Sequence, residues 1–256
     1  MPPNALEPLS RMLLALDSST LTLSLALVER APDGELRVLE LLEEGPPRKQ
    51  SEMLPGIVGE LLARHGVKLP QLEGIAVGLG PGSFTGLRIG LASAKALAYA
   101  AGIRLTGVSS LEAVALDGPE GKLLVPTAVA RLDELYAGFY RREGNRVRLV
   151  EPETAMPPQE LAQRLAATPD ALALGPSVLE YRQKLEAAGA PPDRLQDLPR
   201  WPSAVAIARL ARLPETYEPQ AVFALEPHYV RASEAERNPK FPPLPGPAPT
   251  SRLKDD

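Results

Sequence analysis

A duplicated α/β architecture, two related halves in one chain, is the fold class this sequence predicts, and three observations predict it. The patterned region opens with an apolar hairpin, "MLLALDSSTLTLSLALVE" from Met12, followed by a third strand and helices. A composition break falls at "LDGPEGK", residues 116–122, and beyond it the order of hairpin, third strand and helices returns. At 256 residues with 44% apolar content, the chain can bury a core in each half.

Each element follows from its pattern. Residues 1–11 carry no core periodicity, which leaves Met12 as an alternative start. Met12 to Leu16 reads as an apolar strand, Asp17–Thr20 as a polar turn, and Leu21, Leu23, Leu25 and Leu27 alternate as a second strand. "ELRVLELLEE" supplies the third. In "QSEMLPGIVGELLARHG" the residues Leu54, Ile57, Val58, Leu61, Leu62 and His65 recur at helical spacing, and Gly66 caps the end. "GIAVGLG" is a short strand, "FTGLRIGLASAKALAYAAG" a helix closed by Gly102, and "IRLTGVS" a further strand. Ser109 and Glu112, spaced S-x-x-E, signal the next helix.

The second half predicts strands at 123–129, 134–141 and 146–150, then helices near 157–167, 176–188 and 203–212. It is shorter and more broken by proline, so it is the reduced half. The expected division is 12–117 for the N-terminal half and 118–237 for the C-terminal half. Residues 238–256, "NPKFPPLPGPAPTSRLKDD", read as a disordered proline-rich tail.

Composition narrows the function. With no cysteine there is no disulfide framework, thiol nucleophile or thiolate metal site. His65 and His228 lie far apart, so no imidazole metal site is expected and the metal-ligand set is empty. Apolar runs stop short of a membrane span and the N-terminus lacks the order of a secretory signal, so a cytoplasmic protein is expected. A formal net charge of −4 makes the chain a poor unaided binder of nucleic acid, so any RNA contact is expected to come through another protein's basic surface.

The most distinctive stretch is "GLGPGSFTGLRIG", residues 78–90. It lacks the lysine of a P-loop, and against a dinucleotide fingerprint it offers Gly80 and Gly82 but Thr85 in place of the third glycine. Residues 74–111 contain no carboxylate, so acid–base chemistry within the segment is not expected. What remains is a tight turn at Pro81–Gly82, with Ser83 or Thr85 capping a helix and weak anion binding by the amides as a secondary role. Gly80, Pro81, Gly82, Ser83, Thr85, Gly86 and Arg88 are the motif residues.

From Thr85 to Ala101 the only charges are Arg88 and Lys95, seven apart on one face; the rest is apolar or small. Such a helix is expected to pack on more than one side. With the preceding glycine-bearing helix it forms a candidate partner interface of Met53, Leu54, Ile57, Leu61, Gly90, Ala94 and Leu97. Asp17, Ser18, Ser19 and Thr20 are the candidate nucleotide turn, because hydroxyls and amides at a hairpin tip can grip phosphate. The corresponding second turn, within "AVARLDELYAGFY", has Arg131, Asp133 and Glu134 at its tip, residues 130–134, but neither glycine nor hydroxyl there, which argues against a kinase.

These stretches carry a family likeness. "LLALDSSTLTLSLAL", "QSEMLPGIVGELL", "GLGPGSFTGLRIGLASAKALA" and "GVSSLEAVAL" resemble the bacterial TsaB (YeaZ) family from about Met12 to Arg131, with "ELYAGFY" and "EPHYVR" matching more loosely. The resemblance implies an actin/sugar-kinase-like (ASKHA) fold, no catalytic activity of its own and no required cofactor, the Asp17–Thr20 turn being a vestigial nucleotide site. It implies a TsaD-type catalytic paralogue and a TsaE-type ATPase as partners, and self-association as a homodimer. Pairing runs through the two helices above, and tRNA is met only within the complex, which adds a threonylcarbamoyl group to the adenosine beside the anticodon. Two positions depart from the family pattern: Gln50 stands where many relatives have His, and Val129-Ala130-Arg131 lacks the Asp common there. The alternative is an active ASKHA-fold ATPase or kinase using Asp17–Thr20. A metallopeptidase-like protein would need a histidine cluster this sequence lacks.

Overall fold

Strands β1 (Met12–Asp17), β2 (Leu23–Arg30), β3 (Leu36–Glu44), β4 (Gly74–Gly78) and β5 (Arg104–Val108) form the first sheet of a computed structural model. The structure describes residues 11–31, 35–44, 50–130 and 133–230, the side chains of residues 44 and 50–53 excepted. The N-terminal ten residues, Arg131 and the 238–256 tail therefore lie outside the described residues. In the sheet order β3-β2-β1-β4-β5, the first three strands are antiparallel neighbours and β1, β4 and β5 run parallel.

The second sheet repeats this plan. Strands β6 (Leu123–Val129), β7 (Leu135–Glu143), β8 (Arg146–Met156), β9 (Ala171–Leu174) and β10 (Leu195–Gln196) lie in the order β10-β9-β6-β7-β8, the same succession read from the other edge. Its last strand has two residues where β5 has five, so the second half is the reduced one at this edge. The fold class is thus the two-part α/β architecture that the sequence predicts.

Helices α1 (Gln50–Arg64), α2 (Phe84–Ala101) and α3 (Ser110–Leu116) belong in sequence to the first half. Helices α4 (Pro158–Ala167), α5 (Pro176–Ala187), α6 (Ala204–Leu210) and α7 (Pro219–Ala224) follow in the second. β1 is buried on both faces, which explains its unbroken apolar run. Leu14 and Leu16 join Leu54, Leu61 and Ala94 in an outer core, while Leu13 and Ala15 join Ala204, Ile207 and Ala208 of α6 in an inner one. Conversely, Leu111, Val114 and Ala115 of α3 pack with Leu124, Ala128 and Leu174 of the second sheet. Each half therefore lends its third helix to the other half's sheet.

Several elements differ from the sequence expectation, and β10 and α7 have no counterpart in it. Leu21 belongs to the turn and is 73% exposed, because β2 begins only at Leu23. β8 runs on to Met156 rather than ending at 150. β9, "ALAL", is fully buried between β6 and β10; alanine and leucine favour helix in isolation, but a four-residue run with both faces covered has only a parallel ladder in which to satisfy its backbone.

Candidate functional site

The Asp17 turn is closed by the protein itself. Asp17, Ser18 and Ser19 are all buried, at 1%, 2% and 3% exposure. Asp17 Oδ1 accepts from the Ser19 amide at 2.8 Å and the Ser19 hydroxyl at 2.6 Å. Oδ2 accepts from Ser110 Oγ at 2.5 Å, and that hydroxyl in turn accepts from the Gly80 amide at 3.0 Å. Burial pushes the Asp17 carboxyl above its ordinary range, and the hydrogen bonds from Ser110 and Ser19 pull against it. The free space beside the carboxylate is gone: a Cβ at Gly78 would lie 1.9 Å from Oδ2. Thr20, half-buried, bonds locally to Thr22. The groups expected to offer themselves to a nucleotide are thus turned inward and spent on backbone and side chains of the same chain. The carboxylate missing from residues 74–111 is supplied to that segment by β1, a pairing that only the tertiary fold creates.

The glycines explain how the turn fits. Gly82, Gly86 and Gly90 recur every four residues and face Ser18 and Ser19. A Cβ would meet Ser19 O at 2.3 Å from Gly82, Ser18 O at 2.1 Å from Gly86 and Ser18 Oγ at 2.1 Å from Gly90. The Ser83 amide donates to Ser19 O at 2.7 Å, and Ser18 Oγ donates to Gly86 O at 2.9 Å. Ser83 is the cap of α2, accepting from the Gly86 amide at 3.2 Å. Gly80 turns the chain with a φ of +90°, joined to Pro81 by a cis peptide bond. The loop is a seam for close packing, and the amides of Gly80, Ser83 and Gly86 are occupied within it.

The residues of the expected partner interface are held mostly by the chain's own core. Leu54, Leu61 and Ala94 are 1%, 0% and 0% exposed and face the first sheet, and Gly90 faces the Asp17 turn. Ile57 and Leu97 are half-buried against the same core, and the side chain of Met53 lies outside the described residues. Helical periodicity finds the apolar stripe, and the apolar stripe is claimed first by the chain's own sheet. What α1 and α2 leave exposed is the adjacent stripe of Gly56, Gly59 and Ala63 with Ala92 and Ala96. A Cβ at Gly56 or Gly59 would meet nothing within 4 Å.

The charged face of α2 holds the C-terminal segment. Lys95 Nζ donates to Phe223 O at 2.9 Å and lies 3.5 Å from Glu226, while Arg88 Nε donates to Tyr229 OH at 3.3 Å. Tyr99 meets Phe223 with ring centroids 5.0 Å apart, Phe84 meets Tyr229 at 5.8 Å, and Arg88 lies over the Phe84 ring. The His228 amide donates to Leu79 O at 2.8 Å, just before the glycine loop.

A second buried polar cluster is invisible to sequence reasoning. Glu153 of β8 accepts from Ser109 Oγ and Tyr140 OH at Oε1, and His228 Nδ1 stands 3.0 Å from Oε2, near enough for an ion pair but off the line of a hydrogen bond. Burial and the Glu153 charge push the Tyr140 phenol upward, and the same two causes raise Glu112. The residues come from α3, β7, β8 and the C-terminal segment, so no spacing in the sequence links them.

Comparison with known proteins places this geometry. The family model "TsaD: tRNA N6-adenosine threonylcarbamoyltransferase" matches residues 46–189. The "tRNA threonylcarbamoyladenosine biosynthesis protein TsaB" of Bacillus subtilis is 30% identical over 230 residues, 88% of this chain and 96% of that protein. The protein of the same name from Haemophilus influenzae is 35% identical over 134 residues, a match that spans 51% of this chain and only 54% of the relative's length. A crystal structure titled as an uncharacterized protein with similarity to peptidase YEAZ, from Pseudomonas aeruginosa, superposes with a TM-score of 0.67 at 28% identity, covering 86% of this chain and 99% of that one. Sequence likeness across nearly the whole of a relative, together with a shared two-sheet architecture, settles the family: the chain belongs to the TsaB (YeaZ) family.

Proposed function

We propose that the protein works in tRNA threonylcarbamoyladenosine biosynthesis as a non-catalytic subunit that docks a TsaD-type catalytic paralogue. The observation that carries this reading is the closed Asp17 turn: its carboxylate and serines are engaged inside the protein, while the adjoining helices turn a shallow small-residue stripe outward. Gly56, Gly59, Ala92 and Ala96 let a second helix pair approach closely, and a close approach maximises contact without long side chains to order. Self-association as a homodimer belongs to the same reading. The TsaE-type ATPase joins the assembled pair, tRNA is reached through the complex, and the cytoplasm is where these substrates meet.

The test is size-exclusion chromatography with light scattering on this chain mixed with the TsaD-type protein of the same organism. A mixed species is expected, and Ala96→Arg, placed on the exposed stripe, is expected to abolish it while leaving the far-UV spectrum unchanged. Mixed-species formation by the folded variant would refute the assignment of the face. Steady ATP turnover by the isolated chain, lost in Asp17→Ala, would refute the non-catalytic reading.

A further inference from the structure

Below the first sheet, on the side away from the glycine loop, a cavity of about 670 Å³ is walled by Arg30, Arg104, Arg146, Arg209 and Arg212. The side chains come from the end of β2, the start of β5, the β7–β8 hairpin, and the end of α6 with the residues after it, so the two halves build it jointly. Glu35 and Glu73 are its acidic members among the described residues. Two of the arginines are employed structurally. Arg104 donates to Glu73 O at 3.1 Å and meets Glu73 Oε1 at 3.2 Å, and Arg212 Nη1 donates to the carbonyls of Arg209, Leu210 and Ala211. Arg30, Arg146 and Arg209 have no carboxylate within pairing distance among the described residues; Arg209 feels Asp117 only through the field.

The charge balance of the concavity is the reverse of the chain's, five arginines to two carboxylates among its described lining residues. Acidic residues outnumber basic ones, 32 to 28, and elsewhere Arg64, Arg141, Arg164 and Arg182 each meet a carboxylate at 2.5 to 2.9 Å. Five arginines against two carboxylates on one concavity leave its described lining net positive, at a cost in mutual repulsion. Like charges on a concave surface reinforce one another's field in the space between them, and guanidinium forks match phosphate oxygens two at a time. The opening is too large for one inorganic anion and suits a ligand with several phosphates. We propose that the cavity is a phosphate-binding site of this chain, filled by consecutive backbone phosphates of RNA or by a free polyphosphate. Filled by RNA, it would add a contact from this chain to those the rest of the complex supplies. Only the choice of RNA as a probe rests on the tRNA-modification reading.

The test uses the full chain alone, with a fluorescein-labelled unmodified tRNA transcript followed by anisotropy and pyrophosphate followed by calorimetry. Binding of at least one probe is expected, with the transcript's affinity falling against salt on a log–log slope of about 2 to 3 for three engaged guanidinium groups. Arg30→Glu, Arg146→Glu and Arg209→Glu combined should weaken that binding about tenfold or more, each single change lowering the transcript's slope by roughly one. Arg148→Glu, exposed on β8 and outside the cavity, serves as the control and should change little. Transcript binding that pyrophosphate competes away assigns the site to RNA backbone; pyrophosphate binding without the transcript assigns it to a free polyphosphate. Equal binding by the folded triple variant, or no binding of either probe at about 50 mM salt, overturns the proposal. Pairing with the TsaD-type protein is scored separately by chromatography, so the failure of one reading is distinguishable from failure of the other.

Discussion

Asp17 ends β1 with its carboxylate out of water and three donors aimed at it. Burial raises its folded pKa above the ordinary value of 3.8, so above that value the native chain holds a proton that the unfolded chain has released. The contribution to stability is therefore largest on the acid side and falls as pH climbs through the window between the two values. Asp17→Asn keeps the shape and removes the titration, so the stability difference between wild type and variant is expected to shift against the wild type as pH rises above the ordinary value of 3.8. Urea midpoints across that range read it directly, and a difference that stays constant would refute the role of Asp17. At this scale the sequence shows its local devices well. The S-x-x-E signal yields a real cap, Ser109 Oγ accepting from the Glu112 amide at 3.2 Å, because both partners lie within one turn. Ser110 against Asp17, and Glu153 among Ser109, Tyr140 and His228, are hidden because each pairing spans separate elements.

The helix α2 has two unlike long edges. One carries Gly86 and Gly90, continued into the preceding loop by Gly82, against the Asp17 turn; the other carries Arg88 and Lys95 against residues 223–229. Gly86→Ala would drive a methyl into the Ser18 backbone carbonyl, a contact that cannot swing aside, and is expected to cost about 1–3 kcal/mol despite alanine's better helix propensity. Gly59→Ala, on exposed α1 with open space around it, is expected to gain up to about 1 kcal/mol from that same propensity. Denaturant melts of the two variants check the pair, and a loss at Gly59 matching that at Gly86 would contradict the packing account. The seven-residue spacing of Arg88 and Lys95 is legible as one face, but what it grips lies over 120 residues away. The apolar stripe of α1 and α2 is legible too; that it is consumed by the chain's own core follows from sheet geometry, which a helical period does not contain.

Across the molecule, the exchange of α3 and α6 makes each sheet depend on the other half's helix. Ile207, fully buried against Leu13, Ala15 and Ala76, belongs in sequence to the second half and in space to the first. Ile207→Ala is expected to cost about 2–5 kcal/mol and to lower the stability of both halves together. The single tryptophan, Trp201, donates to Glu43 of β3 at 2.8 Å and so reports on the contact between them. Its fluorescence and far-UV circular dichroism are expected to change in one coincident transition, and two separated transitions would show that the halves unfold independently. The duplication itself is legible as a repeated order of strands around a composition break. The exchange is not, since α3 and α6 read as ordinary short helices of the half in which they occur.

One consequence of that exchange concerns the order in which the chain is made. When β5 has been synthesised the first sheet is complete in hydrogen bonds, yet Leu13, Ala15, Ala26, Val28 and Ala76 on its inner face still await residues 204–211. For roughly a hundred further residues, about 5–20 seconds at ordinary elongation rates, the nascent protein carries a finished sheet with one bare apolar side. The first half thus waits on the ribosome for a helix encoded far downstream of its own last strand.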